Sequence, residues 1–243
     1  ISVGPPFYHN LLIPFLIPFL VFMSFGPSLK WIKDKLKKFE YNLLIIFLAS
    51  ILISYFILIN TEKKFLLSVP LIILSFYLLL VTINDFFNKK SSLSQKISHF
   101  GFSLLITSIL LNSLFSNEFN ANMKVGEERK FNDKVIKLNS VNVRDIDNYK
   151  SLKANFEIKN QNSFIQLSPE VRIYQQPFTI TSEADIKTTL FSDNFLVFNI
   201  LKDDGYYNVR YQYKPVMIWI WISTILISIG GLLSLIKKNE KKY

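Results

Sequence analysis

Apolar residues in this chain come in long blocks over the first 115 positions, alternate with polar residues over the next hundred, and close in one last block. Five blocks contain no Lys, Arg, Asp or Glu: 11–25, extended outward by Phe7 and Tyr8, then 43–59, 65–83, 97–115 and 216–236. A hydrocarbon core about 30 Å thick takes roughly 17 to 25 apolar helical residues, and a helix satisfies its own backbone without water. The blocks therefore predict five transmembrane helices. The opening Ile1–Asn10 reads as an extended segment, because Pro5 and Pro6 discourage helix, and Pro14 and Pro18 predict a kink in the first span. Residues 84–96 read as a turn with a short interfacial piece.

From residue 116 the period changes to two, as in Ala154-Asn-Phe156-Glu-Ile158-Lys and Asn208-Val209-Arg-Tyr211-Gln-Tyr213. Such alternation marks half-buried strands. Further strands are expected at 135–141, 164–167, 171–175 and 195–201. Turn-rich pieces separate them at 145–149, 160–163 and 203–205. Six or seven short strands in about a hundred residues suggest a small sandwich or an open barrel. The expected division is four transmembrane helices in 1–115 (about 8–25, 43–59, 65–83 and 97–115), an all-β domain in 116–215, a fifth helix in 216–236 and a basic tail in 237–243.

Charge orients this arrangement. The chain has 28 basic and 18 acidic residues, of which 116–215 holds 14 and 13, leaving fourteen against five elsewhere. Most of that excess sits in Lys30 to Lys38, Lys89 to Lys96 and Lys237 to Lys242, which five crossings bring to one face. The positive-inside rule then predicts a cytoplasmic C-terminus and an extracytoplasmic, periplasmic β domain, in a bacterial inner membrane or, alternatively, facing out of a mitochondrial matrix. A basic excess confined to short membrane loops argues against nucleic-acid binding. Cysteine is absent, so neither disulfides nor thiolate chemistry are expected. The chain opens Ile1-Ser2 rather than with Met, and is expected to be cut short at its start.

Few residues suggest chemistry. His99 stands out because it lies just inside the fourth apolar block, where an ionisable side chain points to function. Neutral imidazole ligates haem iron, and facing helices commonly supply such ligands; a histidine hydrogen-bonded to a neighbouring helix is the other reading. The only other histidine, His9, is expected at the opposite end of its span and so cannot share an iron with His99. Trp219 and Trp221 read as interfacial anchors, Gly230-Gly231 as a helix-packing point, and Glu183, Asp185, Asp193, Asp203 and Asp204 as solvated surface.

Five stretches together resemble the C-terminal part of the CcmF family, the integral-membrane component of the cytochrome c maturation haem lyase. They are Ile1-Ser-Val-Gly-Pro-Pro-Phe-Tyr8, Ser98-His99-Phe100-Gly101-Phe102, Met123-Lys-Val-Gly-Glu127, Thr181-Ser-Glu-Ala-Asp-Ile186 with Phe191-Ser-Asp-Asn-Phe195, and Val209-Arg-Tyr-Gln-Tyr-Lys-Pro215 followed by Trp219-Ile-Trp221 and Gly230-Gly-Leu232. They look like that family's ISVGxPYF, AHLGxA, MKPGD, TEAAI with RDLY, and VRxYYKPxxxWIW with GGLL.

The resemblance implies a protein that helps transfer haem from a periplasmic haem chaperone to apocytochrome c, working with a thioredoxin-like subunit that presents the apocytochrome. It also implies a membrane haem b with His99 as one axial ligand of its iron. The family's tryptophan-rich WWD segment, its periplasm-side histidines and its second membrane histidine are missing here. They lie upstream in full-length members, so the resemblance implies a fragment or one product of a split gene, which needs its N-terminal complement and is inactive alone. No ligand role carries over to His9. Two other classes compete: a non-catalytic assembly or scaffold subunit, and a permease-like transporter with an extracytoplasmic domain.

Overall fold

The computed structural model describes residues 5–25, 41–61, 68–87, 91–160, 163–201 and 205–240. They form two compact units, one of helices (1–114 and 219–243) and one of strands (115–218).

The helical unit holds α1 (Pro5–Phe25), α2 (Tyr41–Ile59), α3 (Ser68–Phe87), α4 (Leu93–Phe115) and α5 (Met217–Glu240). Four of these, α2 to α5, are long and apolar enough to cross a membrane, while α1 is apolar over the shorter stretch Leu11–Phe25. Helix α1 begins at Pro5, so the prolines open a helix rather than extend the chain before it. Proline is well suited to a first turn, where its missing N–H has no intrahelical partner to lose.

Side-chain placement in α2 is the reverse of that in a water-soluble bundle. In α2 the buried residues are Ser50 and Ser54, whereas Leu44, Ile45, Leu48, Leu52, Tyr55 and Phe56 are exposed. The two hydroxyls donate to the carbonyls of Phe47 and Ser50, both at 2.7 Å. Small hydroxyl residues let helices approach closely, and apolar side chains facing outward suit lipid. Leu20, Leu71 and Leu78 form the centre of an apolar cluster joining α1, α3 and α4.

The strand unit contains β1 (Asn117–Met123), β2 (Glu128–Phe131), β3 (Lys134–Ile146), β4 (Tyr149–Asn160), β5 (Ser163–Leu167), β6 (Glu170–Gln175), β7 (Phe178–Glu183), β8 (Asp185–Thr188), β9 (Ser192–Ile200) and β10 (Tyr207–Pro215). Ten strands among the described residues exceed the six or seven expected. They make two antiparallel sheets, β1-β10-β9-β8 and β2-β3-β4-β6-β7, with β5 paired to β4. Strand β4 is long enough for two partners on one edge: residues 156–160 pair with β5 and 149–153 with β6. The arrangement is thus a two-sheet sandwich.

Period-two alternation supplies its core. Ile136 and Leu138, Ala154, Phe156 and Ile158, Leu196 and Phe198, and Val209 and Tyr211 are all buried. Phe156 and Phe198 meet across the sheets with ring centroids 6.3 Å apart. Each such large side chain stabilises the fold by about 1.5–3 kcal/mol relative to exposure. The outward side of β10 is polar: Arg210 pairs with Glu118 of β1 at 2.7 Å, and Gln212 donates to the same carboxylate at 2.8 Å.

Candidate haem-ligand site

His99 lies in the second turn of α4, because that helix begins at Leu93, four residues before the apolar block does. Ser92 caps it, its Oγ accepting the N–H of Gln95 at 3.3 Å. A side-chain oxygen at this position satisfies a backbone donor that the helix leaves open.

Residues three, four and seven positions on share a helical stripe with His99, and each belongs to a contact with another helix. Phe102 meets Phe19 of α1 edge-on, centroids 5.7 Å apart. The Ser103 hydroxyl shares a hydrogen bond of 2.8 Å with Thr82 of α3. Ile106 packs against the cluster around Leu20, Leu71 and Leu78. On another side α4 meets α5 almost backbone to backbone. A Cβ on Gly230 would run into Ser98 Oγ and lie 2.7 Å from Ser98 N and 2.9 Å from Ser94 O. A Cβ on Gly101 would lie 3.0 Å from the backbone N of Ile227 and from Leu226 Cβ. Contacts to α1, α3 and α5 thus fix the axial position and rotation of α4, and with them the place of the half-buried His99.

One residue here escaped the sequence analysis. Asp85, near the end of α3, lies within electrostatic reach of His99. The neighbouring Phe86 and Phe100 rings, 5.8 Å apart and edge-on, hold this part of α3 against α4. Metal-bound histidines usually have a carboxylate or carbonyl that orients the ring through its other nitrogen, and Asp85 is a carboxylate whose charge reaches His99. Nothing in the linear order pointed to it, since the two residues are brought together only by the pairing of α3 with α4.

As a single imidazole on a helix, His99 could offer one ligand to a haem iron. No group of three or more His, Cys, Asp or Glu side chains gathers among the described residues. His9 falls within α1, with its side chain outside the described residues. Of the carboxylates expected to be solvated, Asp185 instead accepts the backbone N–H of Ser168 at 2.6 Å, while Asp203 and Asp204 lie outside the described residues.

The sandwich has a cleft of its own, about 550 Å³, whose lining includes Asn117, Lys134, Lys187, Ser192, Asn194 and Tyr213. Lys134 Nζ donates to Tyr211 Oη at 2.7 Å, and Tyr211 Oη donates to the buried Asn194 Oδ1 at 2.6 Å. The ammonium also lies 4.1 Å from the centre of the Tyr213 ring, a favourable cation–π distance. Burial holds the Lys134 pKa below its usual 10.5 and pushes that of Tyr211 above its usual 10.0. The sign follows from proton counting. Between the folded Lys134 pKa and 10.5 the unfolded chain binds more protons, so stability rises with pH there; above 10.0 the folded Tyr211 keeps a proton that the unfolded chain loses, so stability falls. Lys134→Met is expected to remove the rise and leave the fall. Urea unfolding of the wild-type and variant chains at a series of alkaline pH values checks this.

Comparison with known proteins converges on one family. Residues 114–215 match the family model described as the CcmF C-terminal beta-sandwich. Over its whole length the chain is similar to "Cytochrome c-type biogenesis protein CcmF" of Haemophilus influenzae, at 26% identity, covering 99% of this chain and 40% of that protein. The protein of the same name from Escherichia coli is 23% identical, covering 100% and 39%. The fold is similar to the solved structure titled "Cytochrome c Heme Lyase CcmF", with a TM-score of 0.75 at 17% identity, covering 94% of this chain and 40% of that one. The chain therefore spans about 40% of the length of the relatives it matches. Residues 114–215 match the CcmF C-terminal beta-sandwich, and over its whole length the chain is similar to part of the CcmF proteins.

Proposed function

We propose that this chain is the C-terminal part of a haem lyase subunit in cytochrome c maturation, and that His99 supplies one axial imidazole to a b-type haem in the membrane. The observation that carries the reading is the likeness to CcmF proteins along the whole chain, combined with a half-buried imidazole on a helix held by three others. In this proposal α1 crosses the membrane with α2 to α5, the C-terminus is cytoplasmic, and the sandwich stands outside an inner membrane, as the distribution of lysines favours. His99 holds the iron from the α4 side and Asp85 orients its ring. A haem held there would supply one electron to an incoming haem iron, its own iron being oxidised from ferrous to ferric. Transfer of haem from a periplasmic chaperone to apocytochrome c, presented by a thioredoxin-like subunit, requires the remaining part of the protein.

The test is maturation itself. In a strain lacking its own lyase, this chain together with its N-terminal complement should restore covalent cytochrome c, measured as haem-stained protein, and either half alone should not. A yield that stays at the background level with both halves present overturns the lyase reading in favour of a scaffold or transporter.

A further inference from the structure

The loop between β8 and β9 holds two large apolar side chains in the open: Leu190 is 60% exposed and Phe191 73%. The loop is firmly built. Thr189 donates to the carbonyl of Ser192 through its N–H at 2.9 Å and through its hydroxyl at 2.8 Å, and its Oγ1 accepts the N–H of Ser192 at 3.0 Å. Such a turn holds its apolar tip outward instead of letting it fold back.

That tip is tied to the start of a membrane helix. The Phe191 carbonyl accepts the N–H of Val216 at 2.8 Å, and α5 begins at the next residue, Met217. Val216 has φ of 50°, in a left-handed region that costs an L-residue roughly 1–2 kcal/mol. A β-branched residue stays there only where its surroundings over-determine it, and the bond to Phe191 is one of those constraints. Phe191 is therefore fixed to the residue from which α5 departs, close in sequence to Trp219 and to Trp221, itself 62% exposed. Aromatic side chains at the ends of spanning helices partition to the membrane–water boundary, and burying apolar surface there is favourable.

We propose that Leu190 and Phe191 form an interfacial anchor, inserting at the boundary between lipid headgroups and acyl chains and seating the sandwich on the bilayer. This rests on α5 spanning the membrane, so the experiment must separate the two. The chain has no cysteine, so each introduced cysteine is unique. Phe191→Cys, Leu190→Cys, Phe178→Cys and Ile225→Cys would be made in the full chain, labelled with an environment-sensitive fluorophore and reconstituted in phosphatidylcholine–phosphatidylglycerol vesicles. Phe178, at the start of β7 in the other sheet, is as exposed as Phe191 at 73%, and Ile225 reports on α5. The inference expects labels at 190 and 191 to emit at shorter wavelength than at 178, and to be quenched severalfold more by lipid carrying a nitroxide high on the acyl chain. It is overturned if 191 behaves like 178 while 225 is quenched. A blue-shifted 191 that nitroxide lipid does not quench also overturns it, assigning the tip to a contact within the protein or with a second copy of the chain. Labels at 191 and 225 that are both aqueous overturn the anchor together with the spanning of α5.

Discussion

His99→Ala is expected to abolish the b-type absorption of this chain purified with its N-terminal complement. Even outer-shell partners of a metal ligand are commonly worth ~10–100-fold in affinity, so loss of the ligand itself should lower retained haem by more than about tenfold. Haem content per protein, read from the reduced absorption spectrum, measures it. Asp85→Asn should act through His99, leaving haem bound more weakly, because the proposal gives its carboxylate the work of orienting the ring. A His99→Ala variant with the full wild-type spectrum would leave His99 as a packing residue and α4 as a structural helix only.

The second large effect is expected on α5, the next helix in sequence. Gly230→Leu should destabilise the helical unit, because the first added carbon already meets Ser98 Oγ, Ser98 N and Ser94 O. Overfilling a packed site commonly costs about 1–3 kcal/mol, and here the obstructing atoms include backbone that cannot rotate away. The thermal midpoint in detergent should fall, and haem retention should fall with it, since Ser98 adjoins His99. Gly231→Leu is the control: nothing lies within 4 Å of a Cβ there, so it should leave both properties unchanged. Equal effects from the two substitutions would mean that α5 does not meet α4 through Gly230.

The helical blocks were legible because hydrocarbon leaves one way to satisfy a backbone, but their ends were not all legible. The fourth block was placed from Ile97, whereas α4 starts at Leu93; the missed signal is Ser92-Leu-Ser-Gln95, a capping pattern of Ser followed three residues later by Gln. At the other end, α5 continues to Glu240, past the last apolar residue of its block at Ile236. In the sandwich, the alternations noticed in the sequence fall in β3, β4, β5, β6, β9 and β10. The strands that went unnoticed, β1, β2, β7 and β8, all lie at the ends of the two sheet orders. An edge strand buries less of either side, so Glu128-Arg-Lys-Phe131 and Asp185-Ile-Lys-Thr188 carry polar residues where a central strand would be apolar. Their pairing is set by neighbours far away in the chain, as when β1 lies against β10, which no local pattern encodes. His99 was visible as a titratable residue in an apolar block, while Asp85 and the separate environments of the two adjacent glycines exist only in three dimensions.

The most direct test of haem ligation by His99 is chemical rescue. His99→Gly removes the ring and leaves its space, and imidazole added to that variant, purified with its N-terminal complement, can take its place at the iron. The account predicts that the b-type absorption band is lost in His99→Gly and returns in a saturable manner as imidazole is added, with no effect of imidazole on the wild type. An undiminished band in His99→Gly without imidazole would contradict it.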